Sequence, residues 1–298
     1  KGLFLMNSIA ICNTSSDNLS LIDIESYSVD HIPLDLGEKP VGPHGIEYEN
    51  NTIITSNNYS NSISLIDMHS KKEVNNLYVG AHPNDVKLYE NKAYIACGES
   101  NSLLVMDMAS KKIAFDIKLE SYPHSIALDK DKGIMYISNM DGHSVSIIDC
   151  LNNKVIGRIK APEYPTKILL SKDEKKIYLC ESYLGYDIEG YIDIISTENY
   201  KSIGRIKVGI TPVDMYEYGE ELYVSNFTEG SISVVDIKRL RETRKIYVGG
   251  MPRGIIKQKD YIYIGDYMGG KLRIIDFSEQ KVKTIPIGNE PNGMILIN

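Results

Sequence analysis

The chain has no tryptophan, four phenylalanines and four cysteines in 298 residues. The missing tryptophan excludes repeats built on a Trp-Asp dipeptide. None of the cysteines, Cys12, Cys97, Cys150 and Cys180, sits in a C-x-x-C pair, which excludes a zinc ribbon or a dithiol redox motif. No run of 18 or more apolar residues occurs, so no segment is suited to cross a bilayer as a helix. Positive charge is in deficit: 33 Lys and Arg stand against 40 Asp and Glu, a formal net charge of −7. Nucleic acid and anionic membrane surfaces both call for a clustered positive field, so neither is expected as a partner. No G-x-S-x-G, H-E-x-x-H or P-loop is present. Helical periodicity is absent as well.

What the chain does have is a repeat. Pro43, Pro83, Pro123, Pro165, Pro212, Pro252 and Pro291 recur in matching contexts at intervals of 40, 40, 42, 47, 40 and 39. A second marker closes an apolar run: Asp23, Asp67, Asp107, Asp149, Ser196, Asp236 and Asp276, at intervals of 44, 40, 42, 47, 40 and 40. Two independent markers in phase define seven copies. Each copy holds four short strand signals, such as His124-Ser125-Ile126-Ala127-Leu128, Tyr136-Ile137-Ser138-Asn139, Ser144-Val145-Ser146-Ile147-Ile148 and Lys245-Ile246-Tyr247-Val248. They are rich in β-branched residues and tyrosine, and Asn, Asp, Gly, Ser and Lys turns separate them. Four strands at a period of about 40 predict an all-β, seven-bladed propeller with four antiparallel strands per blade. The first strand signal, Ile9–Asn13, is a second strand, and the last, Pro291–Ile297, is a lone first strand. Three strands from the N-terminal side and one from the C-terminal side then complete a blade, giving a single domain over residues 1–298. Residues 1–6 are too short for a signal peptide. Two readings stay open for them: an expression remnant before a natural start at Met6, or the end of a longer leader.

Tyr223-Val224-Ser225-Asn226, Ser231-Ile232-Ser233-Val234-Val235-Asp236 and Tyr247-Val248-Gly249-Gly250-Met251-Pro252 resemble the YVTN-type propeller repeat. That family includes YncE-like proteins and surface-layer propeller domains. The resemblance spans essentially the whole chain and implies the same fold. It implies little about activity, because members range from surface and binding proteins to propellers with appended enzyme domains.

Most of the recurrent residues read as architecture. An aspartate at a strand end before Lys, Ser or Asn caps an Asx turn. Seven equivalent sites around a ring do not converge on one metal ion. The prolines set the turn into each inner strand, the glycines before them permit tight backbone, and the tyrosines of the second strands pack between blades. The cysteines fall in four different blades, so a disulfide framework is not expected. Cys97 occupies a position held elsewhere by Asn13, Asn57, Asn139, Glu181, Asn226 and Asp266, yet nothing near it in sequence would activate a thiol. Free cysteines favour a reducing, cytoplasmic location, with export or surface display left open.

Departures from the repeat point to one face. Propeller geometry places the residues just after each proline at the channel mouth. The first such position reads His44, Asn84, His124, Thr166, Val213, Arg253, Asn292, and the second Gly45, Asp85, Ser125, Lys167, Asp214, Gly254, Gly293. The third is uniformly apolar, as a packing position should be. The candidate ligand-binding residues are therefore His44, Asn84, Asp85, His124, Lys167, Asp214, Arg253 and Asn292. An outer rim of Tyr59, Met140, Tyr183, Tyr186, Phe227 and Tyr267 is expected from loops on the same face. It includes the longest insert, residues 182–190.

Three functions fit these residues. The first is a binding propeller that recognises a small molecule, peptide or protein at the mouth; an anion held by Arg253 and Lys167 is one form of it. The second is a metal-assisted lyase or hydrolase at the same mouth, with His44, His124 and Asp85 around a divalent ion and Asp85 or Glu181 as base. Lyases resembling virginiamycin B lyase share this architecture, but their catalytic residues do not map onto this chain. The third is a structural surface or coat component, which would self-associate. No catalytic set is assigned, no cofactor is required, and the oligomeric state is open.

Overall fold

The computed structural model describes residues 7–35, 37, 39–278 and 281–297; the two readings of residues 1–6 lie outside them. Alternation of apolar and small polar residues yields short strands that are buried on both faces. Ser144–Asp149, for example, is buried along its first five residues. These strands assemble into seven four-stranded antiparallel sheets. Blades 1 to 6 span residues 43–78, 83–118, 123–160, 165–210, 212–247 and 252–286 in turn. Blade 7 joins Pro291–Ile297 to the three strands between Ser8 and Pro33. Pro291–Ile297 pairs antiparallel with Ser8–Asn13 and packs against the inner strands Pro43–Glu49 and Pro252–Gln258, which closes the ring. Among the described residues there is no α-helix, and a single 3-10 turn, Thr14–Ser16, lies in blade 7.

The core is divided rather than central. Seven apolar clusters occupy the seven junctions between adjacent blades. Tyr94, Tyr136, Tyr178, Tyr223 and Tyr263 are buried in five of these junctions, as expected of the second-strand tyrosines. The marker aspartates cap turns: Asp149, for instance, accepts the amides of Leu151 at 2.9 Å and Asn152 at 3.2 Å. Ser196 does the same work with its hydroxyl, which accepts the Glu198 amide at 3.2 Å. All four cysteines are free and buried. Burial pushes the thiols of Cys97 and Cys150 up to about 12.

Two backbone features shape the inner face. Each of the seven prolines opens an inner strand, and just after each one the ladder to the second strand slips. A residue left out of the ladder is turned away from its sheet. The residue before the proline carries positive φ in six blades: Gly42, His82, Tyr122, Tyr164, Thr211 and Glu290. Gly42 is the one glycine among these six; Gly249 and Gly250 also carry positive φ, in keeping with the tight backbone expected of the glycines before the prolines. Other glycines there permit close approach, since a Cβ on Gly209 would lie 2.5 Å from Asn226 Cγ and one on Gly288 2.5 Å from Asn13 Cβ.

Candidate ligand-binding site at the channel mouth

The slipped register aims the residues after the prolines into the channel. His44, Asn84, Asp85, His124, Lys167, Asp214, Arg253 and Asn292 all line one cavity of about 190 Å³. Lys87, which sequence reasoning missed, lines it too. So do Ile46 and Met294, so the uniformly apolar position serves the channel wall as well as the packing.

The two histidines are held alike. His44 Nδ1 lies 2.8 Å from the Asn84 carbonyl, and His124 Nδ1 lies 2.7 Å from the Thr166 carbonyl. A carbonyl only accepts, so each Nδ1 carries the proton and donates. Each histidine thereby ties its blade to the next. The rings meet edge to face, with centroids 5.8 Å apart. Arg253 Nη2 donates to His44 Nε2 at 3.2 Å, which fixes that nitrogen as an acceptor. His124 Nε2 has no partner among the described residues. Burial, the Arg253 charge and His124 hold His44 well below the usual histidine range. Burial and Arg253 likewise push His124 down to about 4. Both rings are neutral at pH 7.

The carboxylates are engaged structurally. Asp85 Oδ2 accepts the Ile126 amide at 2.9 Å and the Ser125 hydroxyl at 3.3 Å, both in the next blade. Its Oδ1 accepts the Val86 amide. Asp214 repeats the device, accepting the Ile255 amide at 3.2 Å. Glu181 is not at the mouth: it is fully buried within blade 4, where Arg205 binds it through Nε at 2.8 Å and Nη2 at 2.6 Å. The base proposed from sequence at that position therefore lies elsewhere. Among the described residues, no group of three or more His, Cys, Asp and Glu is arranged to hold a metal ion.

Three cations face this ring, and two have counter-ions. Lys167 pairs with Asp214 at 3.3 Å, and Lys87 pairs with Glu47. Burial works against both ammonium charges, but the surrounding carboxylates outweigh it and raise both lysines above the usual range. Arg253 differs. Its Nε donates to Asn292 Oδ1 at 2.7 Å, and it makes no ion pair among the described residues. Burial lowers its pKa, against the more distant attraction of Tyr267, Asp214 and Glu290.

The expected rim divides. Phe227 and Tyr267 stack edge to face at 5.4 Å, and the Arg253 guanidinium lies 5.8 and 5.5 Å from their ring centres. These two belong to the mouth. Tyr183 hydrogen-bonds Arg205 and lines a separate, more open hollow with Asp187, Glu189 and Lys207. Tyr186 and Tyr59 are exposed, and Met140 is half-buried, its amide bonded to the Tyr122 carbonyl.

No family model and no curated relative matches the chain. Among solved structures it is similar to the Kuenenia stuttgartiensis hydrazine synthase, with a TM-score of 0.75 and 17% identity over 86% of this chain and 90% of that one. It is also similar to the dihydro-heme d1 dehydrogenase NirN in complex with DHE, with a TM-score of 0.68 and 12% identity over 98% of this chain and 75% of that one. At these identities the likeness speaks to the fold, and the chain is a seven-bladed β-propeller.

Proposed function

We propose that this protein is a binding propeller of the YVTN type whose channel mouth holds a small anionic molecule, a carboxylate or a phosphate. The observation that carries this reading is Arg253, a half-buried guanidinium lining the channel mouth with no ionic partner among the described residues. A desolvated charge without a counter-ion is costly, and an anionic ligand removes that cost. Lys167 adds a second cation, and Phe227 and Tyr267 hold the guanidinium from the side. Size favours a small molecule over a peptide or protein segment. Pockets for drug-sized ligands run to ~300–1,000 Å³, so a cavity of about 190 Å³ suits a smaller molecule. The similar NirN structure is a complex with DHE, in keeping with a ligand-binding role for this fold. The lyase or hydrolase reading is less well supported, because both Asp85 oxygens are already engaged.

Isothermal titration with acetate, succinate, malate and inorganic phosphate tests the proposal. Binding of at least one of these is expected. Arg253→Met should weaken it roughly 10- to 150-fold, the range of ~1.5–3 kcal/mol for a hydrogen bond to a charged group. The melting temperature should change little, since Arg253 is half-buried and makes no ion pair among the described residues. Undiminished binding by Arg253→Met would place the site elsewhere.

A further inference from the structure

The mouth also carries an unused acceptor. His124 lines the cavity, its Nδ1 is committed as a donor to Thr166, and its Nε2 has no partner among the described residues. His44, one ring away, shows the paired state, because its Nε2 receives a hydrogen bond from Arg253. A hydrogenphosphate dianion keeps one donor, its P–OH, but only on the group that meets Arg253. A simple carboxylate brings acceptors only: it satisfies Arg253 and Lys167 and offers nothing to His124. We infer that the ligand is a small hydroxy acid, whose anionic group meets Arg253 while its hydroxyl donates to His124 Nε2. This rests on the anion-binding reading above and narrows its chemistry.

A hydroxyl is favoured over an ammonium as the donor. Lys87 and Lys167 are paired with Glu47 and Asp214, so Arg253 is the cation left without an ion pair among the described residues, and it repels a further cation placed beside His124. Burial and Arg253 keep His124 neutral, so the acceptor persists at physiological pH.

Matched pairs measured on the unmodified protein form the test: glycolate with acetate, lactate with propionate, malate with succinate, and glycine as the ammonium control. In at least one pair the hydroxy member should bind about 3- to 10-fold more tightly, the range for one net hydrogen bond. In ¹⁵N spectra of the imidazoles, the His124 Nε2 resonance should move with the hydroxy acid and stay in place with its partner. His124→Leu should bring that pair's ratio close to one, whereas Arg253→Met should weaken both members together. Equal binding within every pair would overturn the hydroxyl assignment and leave the anion site standing. Tighter binding of glycine than of glycolate would also overturn it. Failure of every acid to bind would instead remove the proposed function itself.

Discussion

A histidine in a ring of cations stays neutral when its Nδ1 faces a carbonyl and its Nε2 faces a donor or open channel, and both His44 and His124 meet that condition. For His124 the folded value of about 4 lies below the ordinary 6.5. Between those values the unfolded chain binds more protons than the folded one, so stability rises with pH. The contribution is complete above about pH 6.5 and is lost as pH falls through about 4. Histidine ring NMR should therefore place the His124 midpoint near 4, and His124→Asn should flatten the fall in melting temperature across that window. A midpoint close to 6.5 would contradict the geometry. The buried thiols give a second prediction at this scale. A disulfide reagent should label none of the four cysteines in the native protein and all four after unfolding, because burial suppresses the thiolate. The mouth histidines and Arg253 could be found from sequence because they break a sevenfold pattern. Lys87 does not stand out in the same way, although it and Glu47 are opposite charges one repeat apart at a position that is apolar in the other five copies. That signal requires comparing neighbouring copies in pairs, not each copy with the average.

Within a blade, strand positions follow from alternation and from turn chemistry, so all four strands of each repeat could be anticipated. The slip after each proline could not, because it belongs to the pairing of two strands and leaves no mark on either alone. The same holds for the ties between blades. Asp85 and Asp214 look like ligand residues in sequence, yet each hands a carboxylate oxygen to an amide of the following blade. Asp85→Ala leaves the buried Ile126 amide without its acceptor, and should cost about 1–3 kcal/mol in chemical denaturation. Asp85→Asn retains an acceptor oxygen and should cost distinctly less. Equal costs would mean that charge, not the amide bond, is what matters there. A related network holds the loops between second and third strands. Asn57, Asn139 and Asn226 each donate to two serine hydroxyls of the third strand, and blade 6 replaces this with Asp266 bonded to Arg273. The position thus has one structural purpose in several chemical forms, which explains why its residue type varies while its place does not.

At the scale of the whole ring, closure and ligand binding share a strand. Pro291–Ile297 completes blade 7 by pairing with Ser8–Asn13, and its Asn292 accepts the hydrogen bond that orients Arg253. Its aliphatic side chains, Met294 to Ile297, pack within blade junctions. At ~1.5–3 kcal/mol for a fully buried side chain and less for a partly buried one, they contribute on the order of 5 kcal/mol. That is comparable to the ~5–15 kcal/mol that separates a folded domain from its unfolded state. A chain ending at Gly288 should therefore lose its cooperative melting transition and elute as aggregate, since Ser8–Asn13 becomes an open edge. A peptide of residues 289–298 added in excess should restore both the transition and the anion binding. Asn292→Ala separates the two roles: it keeps the strand, so melting should change little, while binding at Arg253 weakens several-fold. A truncated chain that melts like the intact one would show that the ring holds without this strand. In that case Asn292, not closure, would be the whole of what the strand brings to the mouth.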